Sequence, residues 1–141
     1  MSMKQLFVFV FACFLLSGFN AAAQCNAETL STQCIPKLAP GFNFLKSYKI
    51  EKGGKEYVEY SYVFTKGTQY MINICQPGQN VQGITVTLED SDRNQVASNR
   101  LNDQYASSIV YACNKVGIYY IKYKFDGSAN NCGGSALGFK R

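Results

Sequence analysis

Hydrophobic and polar positions alternate with a period of two along most of the chain after residue 47, which is the pattern of half-buried β-strands. The stretch 117–125, GIYYIKYKF, follows this pattern most strictly. One face of the predicted strand carries four large residues that we expect to lie in a core: Tyr119, Ile121, Tyr123 and Phe125. The other face, which we expect to point outward, carries Ile118, Tyr120, Lys122 and Lys124.

A second long stretch, 56–64 (EYVEYSYVF), separates Val58, Tyr60, Tyr62 and Phe64 from Tyr57, Glu59, Ser61 and Val63 in the same way. Further strands are predicted at 68–75, 84–90, 95–99, 107–113 and 135–140, with turn-forming residues between them. Only residues 26–33, NAETLSTQ, are a candidate for a short helix. About seven or eight strands separated by turns indicate an all-β fold, an antiparallel β-sandwich of the jelly-roll kind.

The first 23 residues have a different character. A single lysine precedes an apolar run over residues 6–16, and an A-x-A sequence ends at Ala23, which together are typical of a cleaved signal peptide. The apolar run is too short to span a membrane. We expect cleavage after Ala23. The alternative, a lipoprotein anchored through Cys25, is disfavoured because Gln24 stands where a lipid-attachment site needs a small residue.

Removal of residues 1–23 from the 141 leaves 118 residues, 24–141, which is the size of a single domain. The formal net charge falls from +5 to +4, because the leading segment holds one lysine and no acidic residue. The remaining lysines are interspersed with acidic residues and form no basic block. We therefore do not expect nucleic acid as a partner.

Five cysteines remain after cleavage: Cys25, Cys34, Cys75, Cys113 and Cys132. The chain has no histidine and no C-x-x-C pair, so in an exported domain these cysteines indicate disulfides rather than a metal site. If successive strands alternate in direction, Cys75 and Cys132 lie at one end of the sandwich and Cys113 at the other. This favours a Cys75–Cys132 bridge, with Cys113 joined to Cys34 or to Cys25. A local Cys25–Cys34 bridge is the main alternative. Because five is an odd number, one thiol stays free, and it is Cys25 if Cys113 is joined to Cys34.

Four stretches carry a resemblance to a known family: TQYMINI, ITVTLEDSDRNQVAS, SSIVYA and GIYYIKYKF. Over residues 56–126 the chain resembles the jelly-roll β-sandwich of bacterial pre-peptidase C-terminal domains, which share a tyrosine early in one strand, an Asp-bearing hairpin and a closing G-x-Y-Y strand. With PGFNFLKSYKIE and CGGSALGFK included, the whole chain is also similar to small bacterial exported proteins of no assigned activity. The resemblance implies a fold and a compartment and brings no catalytic residue.

The absence of histidine excludes Ser-His-acid and Cys-His catalysis. A carboxylate pair from Glu89, Asp90 and Asp92 could serve acid–base chemistry, but these residues share a predicted hairpin tip, where Asp favours turn formation. A reactive cysteine is disfavoured because no histidine is present to lower its pKa. We therefore expect a protein that is not an enzyme and that needs no cofactor.

Calcium is a more specific possibility for the same hairpin. Asp90, Asp92 and Asn94 supply oxygen ligands at alternate positions, as at the start of a calcium loop. The sixth position is Gln95 instead of the glycine that such a loop needs, and the twelfth is Leu101 instead of a bidentate glutamate. A plain hairpin turn is therefore the favoured interpretation.

Tyr57, Tyr120, Lys122 and Lys124 are predicted to share the outward face of one sheet, where stacking rings and positive charge suit a sugar or an anionic polymer. The resulting hypothesis is an exported, non-enzymatic binding module that recognises a protein or polysaccharide of the cell envelope or its surroundings, in the periplasm or outside the cell. The alternative is a structural or envelope-assembly subunit, in which the last strand, SALGFKR, or another sheet edge pairs with a neighbour.

Overall fold

The computed structural model describes residues 25–79, 83–127 and 132–141, and the predicted signal peptide lies outside them. Within these ranges no helix has the length and apolar character needed to cross a membrane. One α-helix and ten strands are present in the described chain, with 3₁₀ turns at Ile35–Lys37 and Pro77–Gln79. In order they are α1 (Ala27–Cys34), β1 (Asn43–Glu51), β2 (Tyr57–Phe64), β3 (Gln69–Cys75), β4 (Ile84–Glu89), β5 (Gln95–Ser98), β6 (Arg100–Leu101), β7 (Gln104–Tyr105), β8 (Ser108–Ala112), β9 (Gly117–Phe125) and β10 (Cys132–Lys140).

Eight of these strands form two four-stranded sheets, and every neighbouring pair is antiparallel. Sheet A has the order β1-β10-β3-β8, and sheet B has the order β2-β9-β4-β5. Strands β6 and β7 form a separate small hairpin. The chain passes repeatedly from one sheet to the other, which gives the strand order of a jelly roll. The predicted all-β, antiparallel sandwich is confirmed.

The core lies between the two sheets and contains the faces that the alternation predicted. The residues Tyr119, Ile121 and Tyr123 of β9 are buried there, and Phe125 packs against them. Phe64 of β2 stacks between two tyrosines, with ring centroids 3.8 Å from Tyr70 and 4.7 Å from Tyr119. The aromatic residues of GIYYIKYKF at odd-numbered positions are therefore core residues.

Two strands differ from the prediction. The sequence analysis did not anticipate β1, whose alternation is interrupted by an irregularity between Phe44 and Lys46. Strand β10 begins at Cys132 rather than at residue 135, and it pairs with β1 on one side and β3 on the other. The proposal that this last strand pairs with a neighbouring molecule is therefore wrong, because both of its edges are already occupied.

Helix α1 lies over β10 on the outer side of sheet A and also contacts the strands on either side of it, β1 and β3. Asn26 caps the helix by accepting a hydrogen bond from the Thr29 backbone N–H at 3.1 Å, and the helix spans the segment where one was predicted. The helix backbone lies directly on Gly134, where an added Cβ would come within 2.2 Å of the Ser31 nitrogen. Buried Asn73 then joins the helix to the sheet: its side chain donates to the Cys34 carbonyl at 2.8 Å and accepts from the Ala136 N–H at 2.8 Å.

Two disulfides fasten this helical layer, Cys25–Cys132 and Cys34–Cys75, and Cys113 is left free and buried. The predicted Cys75–Cys132 and Cys34–Cys113 bridges are wrong, as is an unpaired Cys25. The ends of the strands were placed correctly, since Cys75 pairs with Gly134 in the sheet while the Cys113 N–H bonds the Thr68 carbonyl at the other end of β3. The predicted pairing was wrong because it did not place α1. The helix packs at the end of sheet A that holds Cys75 and Cys132, so the cysteines beside and within the helix, Cys25 and Cys34, bond to those two.

Candidate functional site

The two outer faces of the sandwich differ in what covers them. Sheet A carries α1 over β10, and both disulfides hold the helix there. No comparable layer lies on sheet B in the part of the chain that the structure describes, and Tyr57, Val63 and Ile118 are exposed on its outer face. This outer face, which we call the open face, is formed by β2, β9, β4 and β5.

The structure brings the four predicted ligand-binding residues together on the open face. Tyr57 of β2 lies directly opposite Lys124 of β9, and Tyr120 lies opposite Ser61. The Lys122 ammonium sits 4.9 Å from the centroid of the Tyr57 ring, which is within cation–π range. Tyr57 and Lys124 are exposed, while Tyr120 and Lys122 are only partly so.

Arg93, which the sequence analysis did not single out, covers the Tyr120 ring. Its guanidinium carbon lies 3.4 Å from the ring centroid. The same guanidinium donates to Glu59 at 2.9 Å and to Glu89 at 3.4 Å, so it bridges β2 and β4 across β9. Tyr120 therefore stacks on a residue of its own chain, and its outward ring face is not open to a ligand.

The position of Arg93 depends on the hairpin between β4 and β5. Arg93 has a φ of 65°, in the left-handed region that non-glycine residues seldom adopt. The turn is held by Asp90, whose carboxylate accepts hydrogen bonds from the backbone N–H groups of Asp92 and Asn94, each at 2.9 Å. These hydrogen bonds, that of Asn94 foremost, hold the pKa of Asp90 below its ordinary value.

The proposed calcium ligands are the same residues that build this turn. One Asp90 oxygen is already engaged by two backbone N–H groups, and Asp92 lies 3.9 Å from the Lys115 ammonium. Within the described ranges, no three His, Cys, Asp or Glu residues are grouped as a metal site would require. The plain turn stays the favoured interpretation of Asp90, Asp92 and Asn94, and calcium titration is the experiment that tests the alternative.

Glu89 and Lys122 form the least exposed ion pair of the open face, 2.8 Å apart. The hydrogen bond from Lys122 is the main reason that the pKa of Glu89 lies below its ordinary value, and Arg93 lowers the pKa further. The same bond raises the pKa of Lys122. Glu89 thus holds two cations in place on the open face.

At one end of the open face the surface becomes apolar. Val63 of β2 and Ile118 of β9 lie directly opposite each other, and both side chains are exposed. Together with Ser61 and Tyr62 they line a shallow groove along the outer side of β2. The open face therefore has a charged part around Arg93 and an apolar part at the end of β2.

The free thiol of Cys113 belongs to the core between the two sheets. Its side chain is 4 % exposed, and it donates to the Lys115 carbonyl at 3.1 Å. The Tyr119 hydroxyl donates to the same carbonyl at 2.7 Å, and burial raises the pKa of Tyr119. These contacts are those of a packed structural cysteine.

The comparisons with known proteins concern the fold alone. Among solved structures, the pre-peptidase C-terminal domain of a collagenase from Bacillus anthracis is similar to this chain, with a TM-score of 0.46 and 20 % identity over 69 % of this chain and 90 % of that chain. It is the kind of domain that the sequence resembles. No family model matches the sequence, and no curated protein matches it. The sandwich assignment itself rests on the strand order and pairing described above.

Proposed function

We propose that the protein is an exported, non-enzymatic binding module that recognises a polysaccharide or protein of the cell envelope or its surroundings through the open face. The single observation that carries the proposal is the difference between the two outer faces. One is closed by a disulfide-fastened helix, and the other has no such layer in the described part of the chain and presents Tyr57. Two disulfides are typical of an exported protein. Residues 24–141 would act as one domain after cleavage at Ala23, in the periplasm or outside the cell.

The contacts on the open face divide the four predicted residues into two roles. Tyr57 and Lys124 are exposed and would touch the partner directly. Lys122 and Tyr120 would act indirectly: the Lys122 ammonium packs on the Tyr57 ring, and the Tyr120 ring packs on the Arg93 guanidinium. Side chains held in this way lose little rotamer freedom on binding, which favours recognition by a rigid surface.

The charge balance of this face narrows the partner class. Arg93 pairs with Glu59 and Glu89, Lys122 pairs with Glu89, and Lys124 lies 3.7 Å from an exposed Glu56. Because each cation has an acidic neighbour, the face does not attract a polyanion strongly. A neutral sugar stacking on Tyr57, or a protein surface, fits it better than an acidic polymer.

The test is a glycan array together with a pull-down from envelope extract, using protein exported from the full chain. A variant with Tyr57→Ala and Lys124→Ala is expected to fold normally and to lose the partner. The matched control is Phe44→Ala on sheet A, because Phe44 is 45 % exposed and Tyr57 is 44 % exposed. Equal binding by the wild type and the double variant would contradict the proposal that the open face is the binding site. Loss of binding only in the Phe44→Ala control would indicate that the partner binds sheet A instead.

A further inference from the structure

Strand β2 is an edge strand without the features that usually protect such edges. Among the described residues it pairs with β9 on one side only, in unbroken register from Tyr57 to Phe64. The other edges of the described sheets are shorter or irregular: β8 has five residues, β5 has four and a register shift, and β1 has an irregularity between Phe44 and Lys46. Natural edges are blunted by short length, bulges, lysine or proline, and β2 has none of these.

The residues of β2 match a second copy of the same strand. In an antiparallel pair related by a twofold axis through Tyr60, each residue faces the one equally distant on the other side of Tyr60. Exposed Tyr57 then faces exposed Val63 of the second copy, and vice versa. The only charge on the strand, Glu59, faces Ser61, whose hydroxyl can donate to the carboxylate.

Neighbouring registers fit less well, which makes the axis through Tyr60 specific. An axis through Glu59 would place two carboxylates opposite each other, and like charges at such positions are destabilising. An axis through Ser61 would place Glu59 against Val63 and leave Tyr57 beyond the paired segment. Of the three registers, only the Tyr60 axis places Tyr57 and Val63, the apolar residues near the two ends of β2, opposite each other. Ile118, Val63 and Tyr57 of the second copy then lie side by side across three neighbouring strands.

We propose that the protein forms a twofold dimer in which β2 pairs with β2 of a second copy, joining the two B sheets into one continuous eight-stranded sheet. Pairing along one eight-residue edge buries little surface, so the dimer is expected to be weak, with a dissociation constant of about micromolar or higher. The dimer shares Tyr57 with the proposed ligand surface, so it is tested at Val63, which is not among the proposed ligand contacts and whose substitution therefore separates the two proposals.

The first test measures oligomeric state by light scattering and sedimentation from about 1 µM to about 1 mM, a span that brackets a weak dimer. Val63→Lys should weaken dimerisation about tenfold or more, since two copies of the Tyr57–Val63 pair are lost at once. The matched control is Val110→Lys, because Val110 is 55 % exposed on edge strand β8 and Val63 is 58 % exposed. A monomer at every concentration, or a dimer that Val63→Lys leaves unchanged, would overturn the proposal.

The second test reads the register without altering Val63. Protein with Glu59→Cys is mixed with protein carrying Ser61→Cys, and disulfides are mapped after mild oxidation. Residues directly opposite in antiparallel strands have Cα atoms about 4.5–5.5 Å apart, which suits a disulfide. A 59–61 cross-link in the mixture supports the Tyr60 axis, whereas a Ser61→Cys protein that cross-links to itself, or no cross-link at all, contradicts it.

Discussion

Gly134 is the position where helix α1 touches sheet A most closely, and Gly134→Ala is therefore the sharpest test of the helical layer. A Cβ at residue 134 would lie 2.2 Å from the Ser31 nitrogen and 2.3 Å from the Leu30 carbonyl carbon, both backbone atoms. Ordinary contact begins at 3.4 Å, so the helix would have to retreat by about 1.2 Å. A side chain could rotate away from the new methyl group, but a helix backbone has to move as a whole.

The disulfides prevent that movement. The bridge of Cys25 ends two residues before Gly134, at Cys132, and the bridge of Cys34 ends at Cys75, which is paired with Gly134 in the sheet. Overpacking usually lowers the free energy of unfolding by about 1–3 kcal/mol. We expect a loss at or above the upper end of this range for Gly134→Ala, because both ends of the helix are tethered. For a domain of this size the melting temperature should fall by about 10 °C or more.

The assay is thermal and urea unfolding followed by circular dichroism, in oxidised and reduced protein. The control is Gly138→Ala in the same strand. There the nearest neighbour is a Leu38 methyl at 2.9 Å, which can rotate, and the nearest backbone atom, the Asn43 oxygen, lies at 3.1 Å and has to give by only a few tenths of an ångström; the expected loss is about 1 kcal/mol. Reduction should narrow the difference between the two variants, since the untethered helix can then lift. Equal stability of the Gly134→Ala variant and the wild type would refute this account of how the helix packs.

Four further predictions follow from the contacts described above. Peptide mapping of unreduced protein should recover the two bridges of the structure, with Cys113 labelled by iodoacetamide only after unfolding; a bridge that includes Cys113 would contradict this. Arg93→Ala should lower the stability only slightly, because the ion pairs of Arg93 are half exposed, but it should make Tyr120 more readily nitrated; unchanged nitration would show that the Tyr120 ring is already free. Because the pKa of Glu89 is lower in the folded than in the unfolded state, its ionised carboxylate stabilises the fold fully above the ordinary glutamate pKa, and this stabilisation is lost as the pH falls through the folded-state pKa. Glu89→Gln should therefore reduce the loss of stability at acid pH in a plot of urea midpoint against pH. An unchanged loss would show that other groups cause it. Millimolar calcium should leave the melting temperature unchanged because Asp90 is occupied by its turn, and a rise that Asp90→Asn abolishes would establish a calcium site.

The parts of the fold that sequence could predict are those where one face of a strand is buried and the other is not. In β9 the alternation of Tyr119, Ile121 and Tyr123 with polar residues assigns each side chain to a face, because a one-residue slip would expose the whole core set. Strand β10 is buried on both faces, and its glycines resemble a linker. Gly134 is small because a helix backbone rests on it, and periodicity does not carry that information.

The candidate site was only partly predictable for a similar reason. Tyr57, Lys122 and Lys124 follow from alternation, since they need only point outward from their strands. Arg93 reaches the same face from a turn, through a left-handed residue conformation and a side chain that spans three strands. The disulfide pairing depended in turn on where α1 docks, which strand directions alone do not determine.

The central position of β10 in sheet A also constrains the order in which the strands can pair during folding. In sheet A, β10 lies between β1 and β3 but follows both in the chain, so β1 has no partner in its sheet until β10 has been delivered. The Cys25–Cys132 bridge spans 107 residues and waits for the same moment. In a chain that folds as it is delivered from its N-terminus, sheet B and the β3–β8 pair can assemble first, whereas the helical layer, β1 and that bridge must be completed after β10 is delivered. Oxidation before that point would find Cys25 without its native partner, Cys132.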